Sequence, residues 1–344
     1  MRFPFTKGTQ KNTSRSIDFL AIGDTVVDDF IRLKDARVHC SIKDDSCEIC
    51  MRWGDKIPFE SSTVINGVGN SANAAVSAAR LGLSSSLITN LGKDLRGEET
   101  VAAFKTEHID TRFVTLEEGK ATNYHYVLWF ESERTILVNH EHYTYTFPEV
   151  TEDVKALYLS SLGEVPDDYY AAIASFAESR PDMLLIFQPG TFQMEMGTQR
   201  LANIYARADV VFCNKEEAAR ILGLQSVPDM QTLLDGMRAL GPKIAVITDG
   251  REGAYAKDAE HTYRVPMYPD VRPPFERTGA GDSFASTVTA ALLLGKPLEE
   301  ALRWGPVNSM SVVQEIGAQK GLLTREALEV YLEKAPPEYT IDIS

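Results

Sequence analysis

No apolar run in the chain approaches the roughly 18–20 residues that a membrane-spanning helix needs, so no transmembrane segment is expected. Positive charge is also short: 35 Lys and Arg stand against 49 Asp and Glu, a formal net charge of -14 with a pI of about 5.0. That balance excludes nucleic acid and anionic membrane as natural partners, and an anionic ligand has to be held by local groups acting against the overall field. Cysteine is scarce. Four in 344 residues do not make a disulfide framework, and a reducing cytoplasm is the expected compartment. Cys47 and Cys50 form a lone C-x-x-C with His39 and Cys40 just upstream, so a metal or redox site there competes with ordinary thiols in a strand-and-loop segment. Internal repeats, low-complexity tracts and Gly/Ser linkers are missing too, which favours one domain over two. Residues 1–16, MRFPFTKGTQKNTSRS, carry basic residues but no apolar core, and read as a polar tail rather than a secretory signal.

What is present suits a globular protein with a substantial core: 44% hydrophobic and 24% charged residues. Apolar β-type runs at 17–23, 84–90, 156–159, 183–188, 210–213 and 244–248 alternate with helical stretches at 72–81, 169–179, 199–206, 216–222 and 230–240. The rhythm predicts an α/β fold, a three-layer Rossmann-like, mostly parallel sheet flanked by helices. Residues 283–294 form a strongly apolar helix closed by Gly295, with Pro297 opening the next; an all-round apolar helix is buried. Two stretches break the rhythm. Residues 31–64 and 122–147 are rich in β-branched and aromatic residues, the second reading as a hairpin that turns near Glu131 to Arg134. They predict a small separate β-sheet, a lid on a single domain that spans 17–344.

The segment ERTGAGDSF, Glu276 to Phe284, lies directly before the apolar helix. Gly279, Ala280 and Gly281 let the backbone approach a ligand closely, and their amides sit where the unpaired N–H groups and dipole of a helix N-terminus favour an anion. Asp282 sets a carboxylate beside that anion site. It would repel a resting phosphate, so its presence makes sense if it takes a proton from an attacking hydroxyl. The same residues also serve as ordinary helix capping.

T-G-A-G-D-S-F before an apolar helix resembles the C-terminal signature of the ribokinase-like carbohydrate kinases, the phosphofructokinase-B family. A second segment agrees. Gly69 to Gly82, GNSANAAVSAARLG, followed by Gly92, Asp94 and Gly97, is similar to that family's N-terminal signature, and the resemblance runs from about Ile17 to about Tyr331. It implies an ATP-dependent phosphotransferase acting on a hydroxymethyl group of a small sugar, with Asp282 as general base and Gly279, Ala280 and Gly281 as the anion hole. Asp24 and Asp28, placed at the end of the first strand, would accept hydrogen bonds from substrate hydroxyls, with Gly69, Asn70 and Asn73 lining the same pocket. Asn214 and Glu217 match an N-x-x-E motif that orders Mg²⁺ through water near the phosphates. Thr248, Gly250 and Gly253 resemble the family's nucleotide-binding turn, and Asn308 is placed like residues that line the adenine pocket. The lid of such kinases can pair across two subunits, which implies a homodimer.

Three positions depart from the pattern. Val68 replaces a glycine, and Glu276 with Arg277 replaces an Asp-Thr pair that commonly helps hold a monovalent cation, so potassium activation is in doubt. Arg277 in turn offers positive charge near the phosphates. Free sugars, phosphosugars and nucleosides are all acceptors within this pattern. Lys56, Arg134 and His125 are the lid candidates for reading a phosphorylated acceptor, against plain surface charge. Tyr124, Tyr126 and Trp129 either stack a nucleobase or pack a small lid core. Outside this class stand a dinucleotide oxidoreductase, weakened by Ala72 where G-x-G-x-x-G needs glycine, and a non-catalytic sugar-binding regulator, which the retained Asp282 argues against.

Overall fold

The computed structural model describes residues 16–41, 46–131 and 133–344. The expected polar tail, apart from Ser16, residues 42–45, and Ser132 of the expected hairpin turn lie outside that set. The strands are β1 (Ile17–Ile22), β2 (Val26–Leu33), β3 (Arg37–Ser41), β4 (Ser46–Cys50), β5 (Phe59–Val68), β6 (Ser85–Gly92), β7 (Val114–Glu117), β8 (Tyr124–Phe130), β9 (Glu133–Asn139), β10 (Val154–Leu159), β11 (Leu184–Phe187), β12 (Val210–Asn214), β13 (Ile244–Thr248), β14 (Ala254–Lys257), β15 (Thr262–Val265) and β16 (Asp342–Ile343). The helices are α1 (Asn70–Arg80), α2 (Leu95–Thr106), α3 (Asp167–Glu178), α4 (Thr191–Met196), α5 (Ala202–Arg207), α6 (Lys215–Ile221), α7 (Met230–Ala239), α8 (Ala280–Leu293), α9 (Leu298–Val312) and α10 (Arg325–Glu333).

Ten strands make the main sheet in the order β16-β15-β14-β13-β12-β11-β10-β1-β6-β7. It is parallel from β7 to β13 and antiparallel beyond. The central strands β1, β10, β11 and β12 are buried on both faces, which is why they read as continuous apolar runs rather than alternating ones. Two separate hydrophobic clusters cover the two faces: Ala-rich α1 with α8 and α9 on one, α3, α5 and α7 on the other. On the first face Ala74, Ala75 and Ala78 of α1 and Ala285 of α8 are all buried, and Ser77 and Thr287 meet at 3.5 Å. Small side chains let the two helices approach closely, which is how the start of one comes to meet the start of the other.

The expected lid is a four-stranded sheet, β5-β2-β8-β9. It begins earlier than the sequence indicates: β2 starts at Val26, so Asp28 lies inside a lid strand and not at the end of β1. Residues 140–147 carry no strand; β9 ends at Asn139 and the chain returns to the main sheet in irregular form. Beyond the lid β3 and β4 form a two-stranded arm in which Cys40 and Cys47 are register partners joined by a disulfide. Cys50 is free, so the C-x-x-C is not a pair: residues three apart on a strand project to opposite faces. Among the described residues no group of three or more His, Cys, Asp and Glu is gathered as a metal site, and no helix is long and apolar enough to cross a membrane.

Candidate active site

The site is assembled where the N-termini of α1 and α8 converge. Gly69 caps α1 with φ 114°, and a Cβ there would lie 2.7 Å from the Asp24 carbonyl oxygen, so only glycine lets β5 pass this close to the end of β1. The turn of helix that follows aims two amides at one carboxylate. Asn70 Nδ2 donates to Asp282 Oδ1 at 2.7 Å, and Asn73 Nδ2 to Asp282 Oδ2 at 2.8 Å. A third donor, Gln188 Nε2, reaches Oδ1 at 3.0 Å from the end of β11, and its own Oε1 is fixed by the Tyr158 hydroxyl. Gln319 braces Asn73 in turn, donating to its Oδ1 at 3.0 Å and to the Gly67 carbonyl at 2.7 Å. Asp282 is thus a nearly buried carboxylate whose orientation is over-determined by neutral groups, with no cation paired to it among the described residues. It also occupies the first turn of α8, where the helix dipole favours a negative charge.

At the start of α8 two of the three expected anion-hole residues differ in what their amides can do. Gly279 takes a left-handed conformation (φ 76°) and caps α8, and a Cβ on it would strike Ala318 at 2.3 Å. Ala280 N–H turns back to the Arg277 carbonyl at 3.4 Å, which leaves Gly279, Gly281 and Asp282 as the amides available to an anion. Around Gly281 there is open space.

A cleft of about 190 Å³ opens beside this helix end, lined among others by Thr248, Gly250, Gly253, Gly281, Pro306 and Met310. The β13 turn that supplies the first three is tied to α6 by Lys215 Nζ–Asp249 at 2.8 Å. Arg277 is exposed and lines the same cleft. Asn308 does not reach it. Fully buried, it donates to Thr287 Oγ1 at 2.8 Å and accepts from Leu323 N–H at 2.9 Å, because α9 turns positions 306, 309, 310 and 313 to the cleft and 308 to α8. Asn214 and Glu217 form a reciprocal capping box, each side chain bonding the other's backbone N–H at 2.8 Å. Burial first, then the field of Asp282, raises the Glu217 carboxyl above its ordinary value. Its second oxygen has no hydrogen bond among the described residues.

On the lid side, Asp24 is buried; its oxygens accept from the Tyr145 hydroxyl at 2.8 Å and from Gly163 N–H at 2.6 Å. Burial pushes its carboxyl up to about 6, partly opposed by those two bonds. His140 stands 3.8 Å from Asp24, and burial together with neighbouring His125 holds its imidazole below the usual range. His125 in turn lies 3.3 Å from Asp28, and the rings of His125, His140 and Phe192 form a row at 5.2 and 5.7 Å. Strand alternation puts Tyr124 and Tyr126 on the other face of the lid with Asp29, while Trp129 packs edge-on to Phe275 under Arg32. Of the lid cations, Lys56 is exposed and Arg134 is bound to Glu276 at 2.9 Å. The buried Val68 pairs with Val26 at the lid's root.

Gln188, Tyr145, His140, Phe192 and Gln319 were not singled out from the sequence. Only Gln188 carries a local signal, a polar residue followed by Pro189-Gly190 at the carboxyl end of an apolar strand.

A buried parallel sheet thus carries a β lid, and a glycine-flanked helix start holds an acid beside an open cleft. Residues 55–325 match the pfkB family carbohydrate kinase pattern, and the chain belongs to that family, whose members are sugar and nucleoside kinases. It is 25% identical over 279 residues to an ATP-dependent 6-phosphofructokinase of Thermoanaerobacterium thermosaccharolyticum, covering 77% of this chain and 84% of that one. It is 28% identical over 257 residues to a cytidine kinase of Thermococcus kodakarensis, covering 72% and 88%. In fold it is similar to the Methanocaldococcus jannaschii nucleoside kinase (TM-score 0.75, 19% identity, 93% of this chain and 99% of that) and to Arabidopsis thaliana ribokinase with ribose and ATP (TM-score 0.76, 18%, 92% and 99%).

Proposed function

We propose that the protein transfers the γ-phosphoryl group of ATP to a hydroxymethyl group of a small, neutral sugar. The observation that carries this reading is Asp282, held by Asn70, Asn73 and Gln188 at the helix end that faces the donor cleft. Asp282 takes the hydroxyl proton as the acceptor oxygen bonds to the γ-phosphorus; the bond from phosphorus to the bridging oxygen breaks, and ADP leaves with that electron pair. The Gly279, Gly281 and Asp282 amides steady charge on the group in transit, and the closed lid keeps water out. Mg²⁺ fits the free oxygen of Glu217, whose carboxyl already feels Asp282; when bound with ATP it would neutralise phosphate charge. No vacancy for a monovalent cation is evident at Glu276, whose oxygens are met by Arg134, Thr278 and Gly317.

Asp24, Asp28, His125 and His140 offer hydrogen-bond acceptors and donors but no fixed cation, which suits hydroxyls better than a second phosphate. A nucleoside is the second reading, favoured by the His140–Phe192 contact, which gives a base an aromatic neighbour. ADP release with ATP, Mg²⁺ and a panel of sugars, phosphosugars and nucleosides tests both readings. Stimulation by phosphosugars alone would overturn the neutral-acceptor reading.

The Asp24 carboxyl must be ionised to accept two substrate hydroxyls. The acceptor KM is therefore expected to fall as pH rises through about 6 and then level off, with the step absent in Asp24→Asn. Stability runs the other way. Native Asp24 binds its proton more tightly than an unfolded one near 3.8, so this residue's contribution declines from about pH 4 to about pH 6 and is flat above. A wild-type KM that does not change across that range would remove Asp24 from the acceptor site.

The lid ends in β9, an edge strand exposed along its whole length and carrying Ile136, Leu137 and Val138. An apolar free edge is a template for strand pairing, and we assign it to a second copy of the chain. Val138→Pro is expected to convert a dimer to a monomer in light scattering; an unchanged mass would refute this edge as the contact.

A further inference from the structure

The loop that leads into α8 is organised around one carboxylate. Glu276, 8% exposed in its side chain, accepts Gly317 N–H on Oε1 at 2.8 Å. On Oε2 it accepts Thr278 N–H at 3.0 Å, the Thr278 hydroxyl, and the Arg134 guanidinium at 2.9 Å. The first three donors are neutral and belong to the main body. The fourth is a cation and comes from β9, the last strand of the lid. Other lid side chains meet the same loop and its neighbour: Trp129 stacks edge-on to Phe275 with centroids 5.0 Å apart, and Ile65 fills the space where Gly317 lacks a side chain.

We propose that Arg134 is a positioning residue for phosphoryl transfer, a latch that sets the anion-hole loop in working order only when the lid is closed over it. The inference rests on the kinase reading above. With the lid down, the Arg134–Glu276 pair is internally balanced and the loop before Gly279 is fixed at both ends. With the lid away, Glu276 keeps its three neutral donors but loses its one cation, so its charge is no longer balanced within the loop. It is also an uncompensated negative charge three residues ahead of Gly279, where the transferring phosphate has to sit. Arg277, exposed and facing the donor cleft, is not paired with Glu276 and does not replace Arg134. Both arginines and Glu276 line the lid cavity of about 250 Å³.

Three variants test the latch: Arg134→Ala, Glu276→Gln and the two combined. Arg134→Ala is expected to lower kcat at least about tenfold while each KM moves less than about threefold, the pattern of a lost transition-state arrangement. Adding Glu276→Gln removes the stranded charge and is expected to recover kcat at least about threefold, a coupling that independent sites do not show. Hydrogen exchange gives a reading that does not need activity: amides of 275–279 and 316–318 exchange faster in Arg134→Ala and slow again in the double variant. The latch is overturned by a kcat for Arg134→Ala within about twofold of wild type, by losses that multiply in the double variant, or by unchanged exchange in that loop. If the wild-type protein phosphorylates nothing in the acceptor panel, the proposed acceptor falls, and the exchange comparison still decides whether Arg134 organises the loop.

Discussion

Asp282→Asn is expected to lower kcat by about 10²–10⁴-fold, the range a positioned general base contributes. The substitution keeps size and shape, so the donor cleft stays intact and ATP binding should hold within a few-fold. What changes is the proton acceptor and one hydrogen bond. The carboxylate receives Asn70 and Gln188 on one oxygen and Asn73 on the other. An asparagine can satisfy only one side; its own amide then faces a donor, and the mismatch costs roughly 1–3 kcal/mol of stability. The variant should therefore melt at a lower temperature yet fold, and the activity loss should far exceed any loss of folded protein. Retained turnover with a lowered melting point would make Asp282 a scaffold residue and move the base elsewhere.

Gly279→Ala is the second large effect, and it acts through the backbone. Gly279 holds φ 76°, and the new Cβ would stand 2.3 Å from Ala318. Either the cap unwinds or the turn at 317–319 moves, and both displace the amides that face the donor cleft. Loss of one aligned donor in such a hole costs about 10²–10³-fold in kcat, so a drop of that size is expected with ATP affinity also weakened. Gly281→Ala is the comparison for the fold alone: no protein atom lies within 4 Å of its Cβ position, so its melting temperature should stay close to wild type where that of Gly279→Ala falls. Equal falls at the two positions would show that the geometry at 279 has no special part.

Much of the framework was legible in the sequence because its signals are local. The buried strands announce themselves as apolar runs, and α1 and α8 each follow a glycine-rich start that also carries the family likeness. Asn70, Asn73 and Asp282 were readable for that reason, although the bond network joining the two helix ends was not. Asn308 was misplaced because resemblance identifies a helix more easily than a helix face; two residues from Pro306, it points away from the cleft. Asp28 was read one element too early, since nothing between Asp24 and Val26 marks a break between two strands. His140 and Tyr145 sit in irregular chain with no periodicity to betray them, and the Arg134–Glu276 pair joins residues far apart in sequence. Cys47 pairs with Cys40 on the neighbouring strand, a choice made by strand register, which the C-x-x-C spacing hides.

The position of β1 bears on how this protein comes into being. It lies mid-sheet and is completed only when β10 docks in register, Ile17 against Val154, so the whole lid and its arm belong to the stretch of chain that this pairing closes. During synthesis β1 has to wait for β10 to emerge, and such late, distant pairing makes folding slow. The same arrangement makes the lid cheap to elaborate. Closure entropy grows only with the logarithm of length, about 0.6 kcal/mol per doubling, so lengthening an already long excursion by an arm such as β3–β4 adds little to it. Lid length and content are thus free to diverge between lineages while the helix ends that carry the chemistry stay where the sheet puts them.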